Sequence, residues 1–204
     1  MAHRALKILC VAAACLGIAP AWAMQPGEYQ IKAAYLLNFA RYVEWPAQRL
    51  PAGAPLRLCV LGRDPFGEAL SGLEGRQVNG HEVKPRVVDG VEMASDCHLV
   101  FITDSEERRV GLLLRGLAGR SVLTVSDIDG FAEAGGGIGL VVDERRVRFD
   151  INLTSVQREG LRASSQLLRH GRFVFGEVGT LFQKDHQVVQ GSDCDDRQPV
   201  ILDR

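Results

Sequence analysis

Residues 98–104 read HLVFITD, and two runs of the same kind occur elsewhere in the chain, LRLCVLG at residues 56–62 and SVLTVSD at residues 121–127. Each run is mostly apolar and contains β-branched residues, and each ends in a turn or capping residue. Continuous apolar runs of this length are typical of strands that are buried on both faces of a parallel sheet. The three runs therefore predict strands of a parallel sheet, and this prediction decides the fold class.

A helical candidate follows each run: Pro65–Leu73, Glu106–Leu117 and a short turn at Ile128–Ala134. Strands that alternate with helices indicate βαβ units. The expected fold is α/β, a three-layer sandwich with a largely parallel central sheet, β-hairpins and helices on both faces.

An amphipathic helix is predicted upstream, over Glu28–Val43. Its apolar residues Ile31, Tyr35, Phe39 and Tyr42 recur every three to four positions, which predicts that they face the core. Further along, two short helices separated by a break at Gly160 are expected after residue 152.

Two hairpins are predicted. Asn79-Gly80 is a strong two-residue turn signal between β-forming residues, and strands at Ile138–Val142 and Arg146–Ile151 flank a tight turn at residues 143–145. The glycines of residues 135–137 precede the second hairpin. A phosphate-binding loop needs a helix after its glycines, and none is expected here, so we interpret these glycines as a flexible entry to the hairpin.

The amino-terminal segment predicts export. Residues 1–23 contain a short basic region, an apolar run of about a dozen residues, too short to span a bilayer, and a final Ala21-Trp22-Ala23, the three parts of a cleaved signal peptide. An uncleaved anchor is the alternative. We expect the signal peptide at 1–23, one domain at 24–182 and a polar tail at 183–204, with the mature protein in the periplasm.

Composition restricts the function classes. With a net charge of −1, the chain lacks the excess of basic residues that is typical of nucleic-acid-binding proteins. Export leaves Cys59, Cys97 and Cys194, of which one pair is expected to form a disulfide in an oxidising compartment. No Cys or His spacing predicts a metal site.

No catalytic constellation is evident, so we predict no catalytic residue, no cofactor and no enzymatic activity. Asp64, Asp104 and Asp127 follow predicted strands at the edge where α/β proteins bind ligands. The favoured alternative is that they cap helices, with Asp104 and Glu107 in capping-box spacing.

A basic cluster offers a second candidate for binding. We expect Arg148 and Arg162 to contact an anionic small molecule. The competing interpretation is a solvated face, because acidic residues lie close by in the sequence.

Several of these segments together resemble a known family. The chain contains IKAAYLLNFARYVEWP, LRLCVLGRDPFGEAL, LTVSDIDGF and RVRFDINL in this order. Over roughly Tyr29–Leu168 it resembles the YfiR family of periplasmic repressors of membrane diguanylate cyclases.

The resemblance implies regulation by binding. The expected partner is the periplasmic domain of an inner-membrane, YfiN-like diguanylate cyclase, whose repression lowers cyclic di-GMP and biofilm formation. The resemblance also implies a YfiB-like outer-membrane lipoprotein as a second partner, and a homodimer. Cys59 and Cys97 match the first cysteine pair of the family, whereas residues 130–143 contain no counterpart of the second pair.

Two questions stay open from the sequence. Phe149, Ile151 and Leu153 alternate along one face and are predicted to dock the partner, although the same pattern fits core packing equally well. The alternative function is an exported small-molecule-binding protein or hydrolase that uses the carboxyl edge of the sheet.

Overall fold

The computed structural model describes residues 27–176. The predicted signal peptide, residues 1–23, and the predicted polar tail, residues 183–204, lie outside the described residues, and so does Cys194.

The element bounds are as follows. The helices are α1 Glu28–Tyr42, α2 Glu68–Ser71, α3 Val91–Ser95, α4 Val110–Leu117, α5 Leu153–Arg158 and α6 Ser165–His170. The strands are β1 Val43–Glu44, β2 Leu56–Leu61, β3 Gln77–Val78, β4 His81–Val88, β5 Leu99–Ile102, β6 Leu123–Ser126, β7 Ile138–Asp143, β8 Arg146–Asn152, β9 Arg162–Ala163 and β10 Val174–Phe175.

The central sheet has eight strands in the order β10-β8-β7-β6-β5-β2-β4-β3. All neighbours are parallel except the β7–β8 and β3–β4 pairs. The three apolar runs form β2, β5 and β6, which lie side by side in the middle of the sheet. The predicted largely parallel α/β sheet is confirmed.

The helices cover both faces of this sheet. Along β2, Leu58 and Val60 pack in one core cluster with Leu36 of α1, whereas Cys59 and Leu61 pack in a second cluster with Leu113 of α4. Successive strand residues point to opposite faces, so β2 is buried from both sides. This arrangement is the predicted three-layer sandwich.

The inward face of α1 differs from the predicted stripe. Ile31 is 50% exposed, whereas Phe39 is buried as expected. Lys32 takes the inward position because its ammonium group pairs with Asp127 of a distant segment. The burial of a lysine by an ion pair 95 positions away leaves no signal in the local apolar pattern.

Both predicted hairpins are present. Asn79 and Gly80 have φ values of 50° and 81°, and Glu144 and Arg145 have φ values of 47° and 62°. Positive φ at both central residues is the signature of the two-residue turns that suit the strand twist. The turn of the second hairpin is therefore one residue shorter than the predicted 143–145.

The glycine stretch is fixed by close packing, and the predicted flexible entry is wrong in this respect. A Cβ on Gly136 would lie 2.2 Å from the ring of Phe131, and one on Gly137 would lie 2.9 Å from the carbonyl oxygen of Thr124. The Gly137 N–H donates to Thr124 Oγ1 at 2.9 Å. The glycines allow the chain to pass directly against these two residues.

The buried side chain of His98 links β2 to the loop before it through two hydrogen bonds. His98 Nδ1 accepts from the Arg57 N–H at 2.9 Å, so Nε2 carries the proton and donates to the Arg49 carbonyl oxygen at 3.1 Å. Burial of the ring lowers the pKa of His98 to about 4. The neutral imidazole is therefore the form that the fold requires.

Candidate functional site

Asp127 follows β6 at the carboxyl edge of the sheet, where it belongs to a buried polar cluster. Its Oδ2 accepts from Lys32 Nζ at 2.6 Å and from the Tyr29 hydroxyl at 3.1 Å, and Lys32 also pairs with Glu28. Burial of the phenol and the charge of Asp127 raise the pKa of Tyr29. The Asp127 carboxylate is thus satisfied by protein donors.

The other two edge aspartates have different surroundings. Asp64 accepts from the backbone N–H groups of Phe66 and Gly67 at 2.8 and 3.2 Å, in the turn before α2. The N-cap of α2 is Gly67, without a side-chain cap, so the predicted capping role of Asp64 is wrong. Asp104 is exposed and begins a 3₁₀ helix, Asp104–Arg109, which leads into α4. The N-cap of that helix is Thr103, without a side-chain cap, so the predicted capping box is wrong.

No metal cluster is found at this edge or elsewhere in the described part of the chain. Within residues 27–176, no three His, Cys, Asp or Glu side chains are arranged to hold an ion.

The Cys59–Cys97 disulfide is present, as the family resemblance implies. The Cα atoms lie 6.1 Å apart and both cysteines are fully buried, between β2 and the start of β5. Arg86 of β4 donates to both sulfurs, from Nε to Cys59 and from Nη2 to Cys97. The disulfide therefore has a cationic neighbour.

The predicted docking face requires a correction. Phe149 is 4% exposed and Ile151 is fully buried. The Phe149 ring packs edge-on against Phe39 at 5.1 Å and against Tyr35 at 5.8 Å. Because α1 covers this face of β8, the alternation fits core packing, and only Leu153 at the start of α5 keeps partial exposure.

A concave, arginine-rich surface lies at the other end of β8, beside the second hairpin. This cavity of about 640 Å³, the arginine groove, is lined by Arg146 and Arg148 of β8, by Arg169 and Arg172 at and after the end of α6, and by Asp143 and Glu144 of the hairpin. Tyr35 of α1 also lines it. The volume is in the range of small-molecule sites.

The structure separates the two arginines that were predicted to contact an anion. Arg148 lines the arginine groove, with Nε 3.5 Å from Asp143 Oδ2. Arg162 lies on β9, which pairs with β1, and is not among the residues of the groove. The basic cluster of the sequence therefore does not form one site.

Two residues of these sites were missed from the sequence. Arg172 makes a bidentate ion pair with Asp150, in which Nε donates to Oδ1 at 3.0 Å and Nη2 donates to Oδ2 at 2.7 Å. This hydrogen-bonded pair raises the pKa of Arg172. Arg172 and Lys32 each meet a carboxylate far along the chain, so spacing alone gives no signal for either.

Comparison with known proteins gives the family. A model of the YfiR/HmsC-like family matches residues 29–172. This chain belongs to the YfiR/HmsC-like family. The match runs from α1 to the loop before β10 and confirms the resemblance.

Solved structures with a similar fold are distant in sequence. A conserved domain protein from Vibrio cholerae O1 biovar El Tor has a TM-score of 0.51 at 8% identity, over 73% of this chain and 60% of that one. The ABC domain from Streptococcus pneumonia, solved in complex with L-Trp, has a TM-score of 0.48 at 9% identity, over 70% of this chain and 60% of that one. The first likeness shows the α/β fold alone, and the chain spans 60% of the length of either structure.

No helix within residues 27–176 has both the length and the hydropathy of a membrane-spanning segment.

Proposed function

We propose that this protein is an exported repressor that binds the periplasmic domain of an inner-membrane, YfiN-like diguanylate cyclase, and so lowers cyclic di-GMP and biofilm formation. The observation that carries the proposal is the family match over residues 29–172, which includes most of the described domain. A YfiB-like outer-membrane lipoprotein that sequesters the repressor, and a homodimeric state, belong to the same proposal.

Repression of this kind needs no chemistry in the repressor. A protein that binds the inactive conformation of the cyclase more tightly than the active one shifts the population by that difference in affinity. A tenfold shift requires about 1.4 kcal/mol of preference. An ordinary protein interface supplies this amount.

The burial of Phe149 and Ile151 on β8 limits which of the predicted residues can contact the partner. Because Phe149 and Ile151 are core residues, substitution of either would test folding rather than docking. Leu153, which is half-buried at the first position of α5, is the member of the predicted set that a partner can still reach.

The proposal is tested by affinity capture from inner membranes. Mature protein with a carboxy-terminal tag should retain a membrane protein with a diguanylate cyclase domain. Leu153→Asp should weaken the capture, while Leu112→Asp, at a leucine that is 61% exposed on α4, serves as the matched control. Recovery of no cyclase from solubilised membranes would contradict the proposal.

The second candidate is an exported small-molecule-binding protein or hydrolase. The arginine groove favours ligand binding, since it is a concave site with several cationic side chains. The carboxyl edge of the sheet gives a hydrolase less support, because Asp127 and Asp64 already accept hydrogen bonds from the protein. Turnover of an ester or phosphoester substrate that Asp104→Asn abolishes would favour the hydrolase.

A further inference from the structure

We propose that a cavity between α4 and α5 is a binding site for a short aliphatic carboxylate. This α4–α5 cavity has a volume of about 250 Å³ and is lined by the two helices, by the start of β6 and by the glycine stretch of residues 135–137. The inference goes beyond the proposed repressor function and does not depend on it. It rests on the apolar lining of the cavity, on its glycines and on two arginines.

The apolar part of the lining is aliphatic. It consists of four fully buried side chains and one half-buried side chain, namely Leu117, Val122, Leu123, Val156 and Leu114. Among the described residues that line the cavity, none is aromatic. Such a lining suits a hydrocarbon chain, whose affinity should rise about fourfold with each methylene that it buries.

The glycine stretch leaves space on one side of the cavity. Gly135 has a φ value of 101°, and no described atom beyond its chain neighbours lies within 4 Å of the place that a Cβ would take. The Ser155 hydroxyl donates to the Gly135 carbonyl oxygen at 2.9 Å, and the Gly137 N–H donates to Thr124 Oγ1. Because these polar groups are paired within the protein, they leave the interior of the cavity to an apolar group.

Two exposed arginines bring positive charge to the cavity. Arg115 belongs to the last turn of α4, and Arg158 is the last residue of α5. Within residues 27–176, neither guanidinium forms an ion pair with a carboxylate. The carboxylate of Glu159, which also lines the cavity, accepts from the backbone N–H groups of Gly119 and Ser121 at 3.0 and 3.1 Å. Two arginines against one glutamate leave an excess of one positive charge.

A glycine of α4 gives the Arg115 guanidinium its place beside the cavity. A Cβ at Gly111 would lie 3.7 Å from Nη1 of Arg115, so the guanidinium reaches back over the preceding helical turn. Glycine inside a helix lowers helix stability relative to alanine. Gly111 keeps open the space in which the guanidinium and a ligand carboxylate would meet.

These features select a carboxylate with an aliphatic chain. The guanidinium group binds carboxylate oxygens through paired N–H donors. An excess of one charge matches a carboxylate better than a phosphate monoester, whose charge is close to two at neutral pH. The volume lies just below the range of about 300 to 1,000 Å³ that is typical of small-molecule sites, so the chain has to be short.

The test is calorimetric titration of the mature protein with octanoate. Arg115→Gln and Arg158→Gln should each weaken binding about tenfold, the loss expected for one charge-assisted contact. Arg108→Gln, which changes an exposed arginine of the 3₁₀ helix outside the cavity, is the matched control and should bind like the parent. All three variants should melt close to the parent temperature, because the arginines are exposed.

Two further measurements test the shape of the site. Gly111→Leu should fold at least as well as the parent, because leucine favours the helix, but its side chain should fill the cavity and abolish octanoate binding. Hexanoate, with two methylenes fewer, should bind about fifteenfold more weakly than octanoate. Octanol, which has the same chain without the charge, should bind about a hundredfold more weakly because it pairs with neither arginine.

Several results would overturn the assignment. These are no measurable octanoate binding, an affinity that does not depend on chain length, equal affinities for octanoate and octanol, or an equal loss in Arg108→Gln. Tighter binding of octyl phosphate than of octanoate would refute the carboxylate. Repression of the cyclase is measured separately, so a failed titration leaves the repressor proposal standing.

Discussion

Arg86 donates through Nε to Sγ of Cys59 across 3.3 Å, and the same guanidinium reaches Sγ of Cys97 through Nη2 at 3.4 Å. Arg86 lies on β4, the strand that pairs with the Cys59 strand, β2, and the two residues are partners in register. A fixed cation therefore sits beside both sulfurs. Its charge stabilises a thiolate, which forms only when the disulfide is reduced.

The first prediction concerns this redox couple. Arg86→Gln should make the disulfide about tenfold harder to reduce, a fall of about 30 mV in reduction potential. The measurement is equilibration with glutathione at pH 8, followed by trapping of free thiols. Arg86→Lys keeps the positive charge and should stay near the parent value. Equal potentials in the parent and Arg86→Gln would show that the contact has no electrostatic effect.

The second prediction concerns stability from the same disulfide. It closes a loop over a sequence separation of 38 residues. Removing it by Cys59→Ala together with Cys97→Ala should lower the free energy of unfolding by about 4 kcal/mol in the chain-entropy estimate. Urea unfolding of the mature protein measures this. An unchanged midpoint would mean that the cross-link does not constrain the unfolded chain.

The third prediction concerns Lys32. The Lys32 and Asp127 side chains are 5% and 11% exposed, so Lys32→Met leaves a carboxylate in a buried position without its cation. The expected cost is about 3 kcal/mol of stability. Adding Asp127→Asn should recover part of the loss, because the unpaired charge is then removed.

Lys84→Met is the matched control for Lys32→Met. Lys84 pairs with Glu74 and Glu82 at a solvent-exposed position, and exposed pairs add little stability. The urea midpoint of Lys84→Met should therefore stay close to that of the parent. Equal losses in the two lysine variants would contradict the assignment of Lys32 to a buried ion pair.

The fourth prediction is a pH dependence set by His98. Its pKa is about 4 in the folded protein against about 6.5 in an unfolded chain. The unfolded state therefore binds a proton first as the pH falls, and stability should decline from pH 6.5 to pH 4, by about 3 kcal/mol in total from this group. Above pH 6.5 the imidazole is neutral in both states and adds no pH dependence to the stability.

His98→Asn isolates this effect. Its side chain does not titrate, so the variant should be less stable than the parent at pH 7 but should show a shallower decline between pH 6.5 and pH 4. Urea unfolding at a series of pH values measures both slopes. Parallel slopes would show that His98 is not the group responsible.

The central strands could be predicted from the sequence because burial on both faces leaves no polar alternation in β2, β5 and β6. β4 was recognised only as an arm of a hairpin, although it also pairs with β2 as a parallel strand. Its residues HEVKPRVV include charged side chains and Pro85. That composition is typical of a strand near a sheet edge and hides its place in the parallel sheet.

The sites were less predictable because their residues meet across the chain. The alternation of Phe149 and Ile151 correctly indicates one face of β8, but alternation is the same for a core face and a docking face. The structure distinguishes the two because α1 packs over that face. Helix α1 lies more than 100 positions away from β8 in the sequence, so the local pattern contains no sign of this contact. The pairs of Asp150 with Arg172 and of Lys32 with Asp127 likewise depend on tertiary contacts.

The central claim is that the protein represses a membrane diguanylate cyclase, and the most direct measurement is intracellular cyclic di-GMP in a strain that lacks the gene. We predict a rise of about tenfold, with increased biofilm, because the cyclase population shifts to its active conformation. Expression of the full chain should restore the parent level, and expression without residues 1–23 should not, since the repressor then stays outside the periplasm. An unchanged cyclic di-GMP level in the deletion strain, with the cyclase gene present and expressed, would contradict the account.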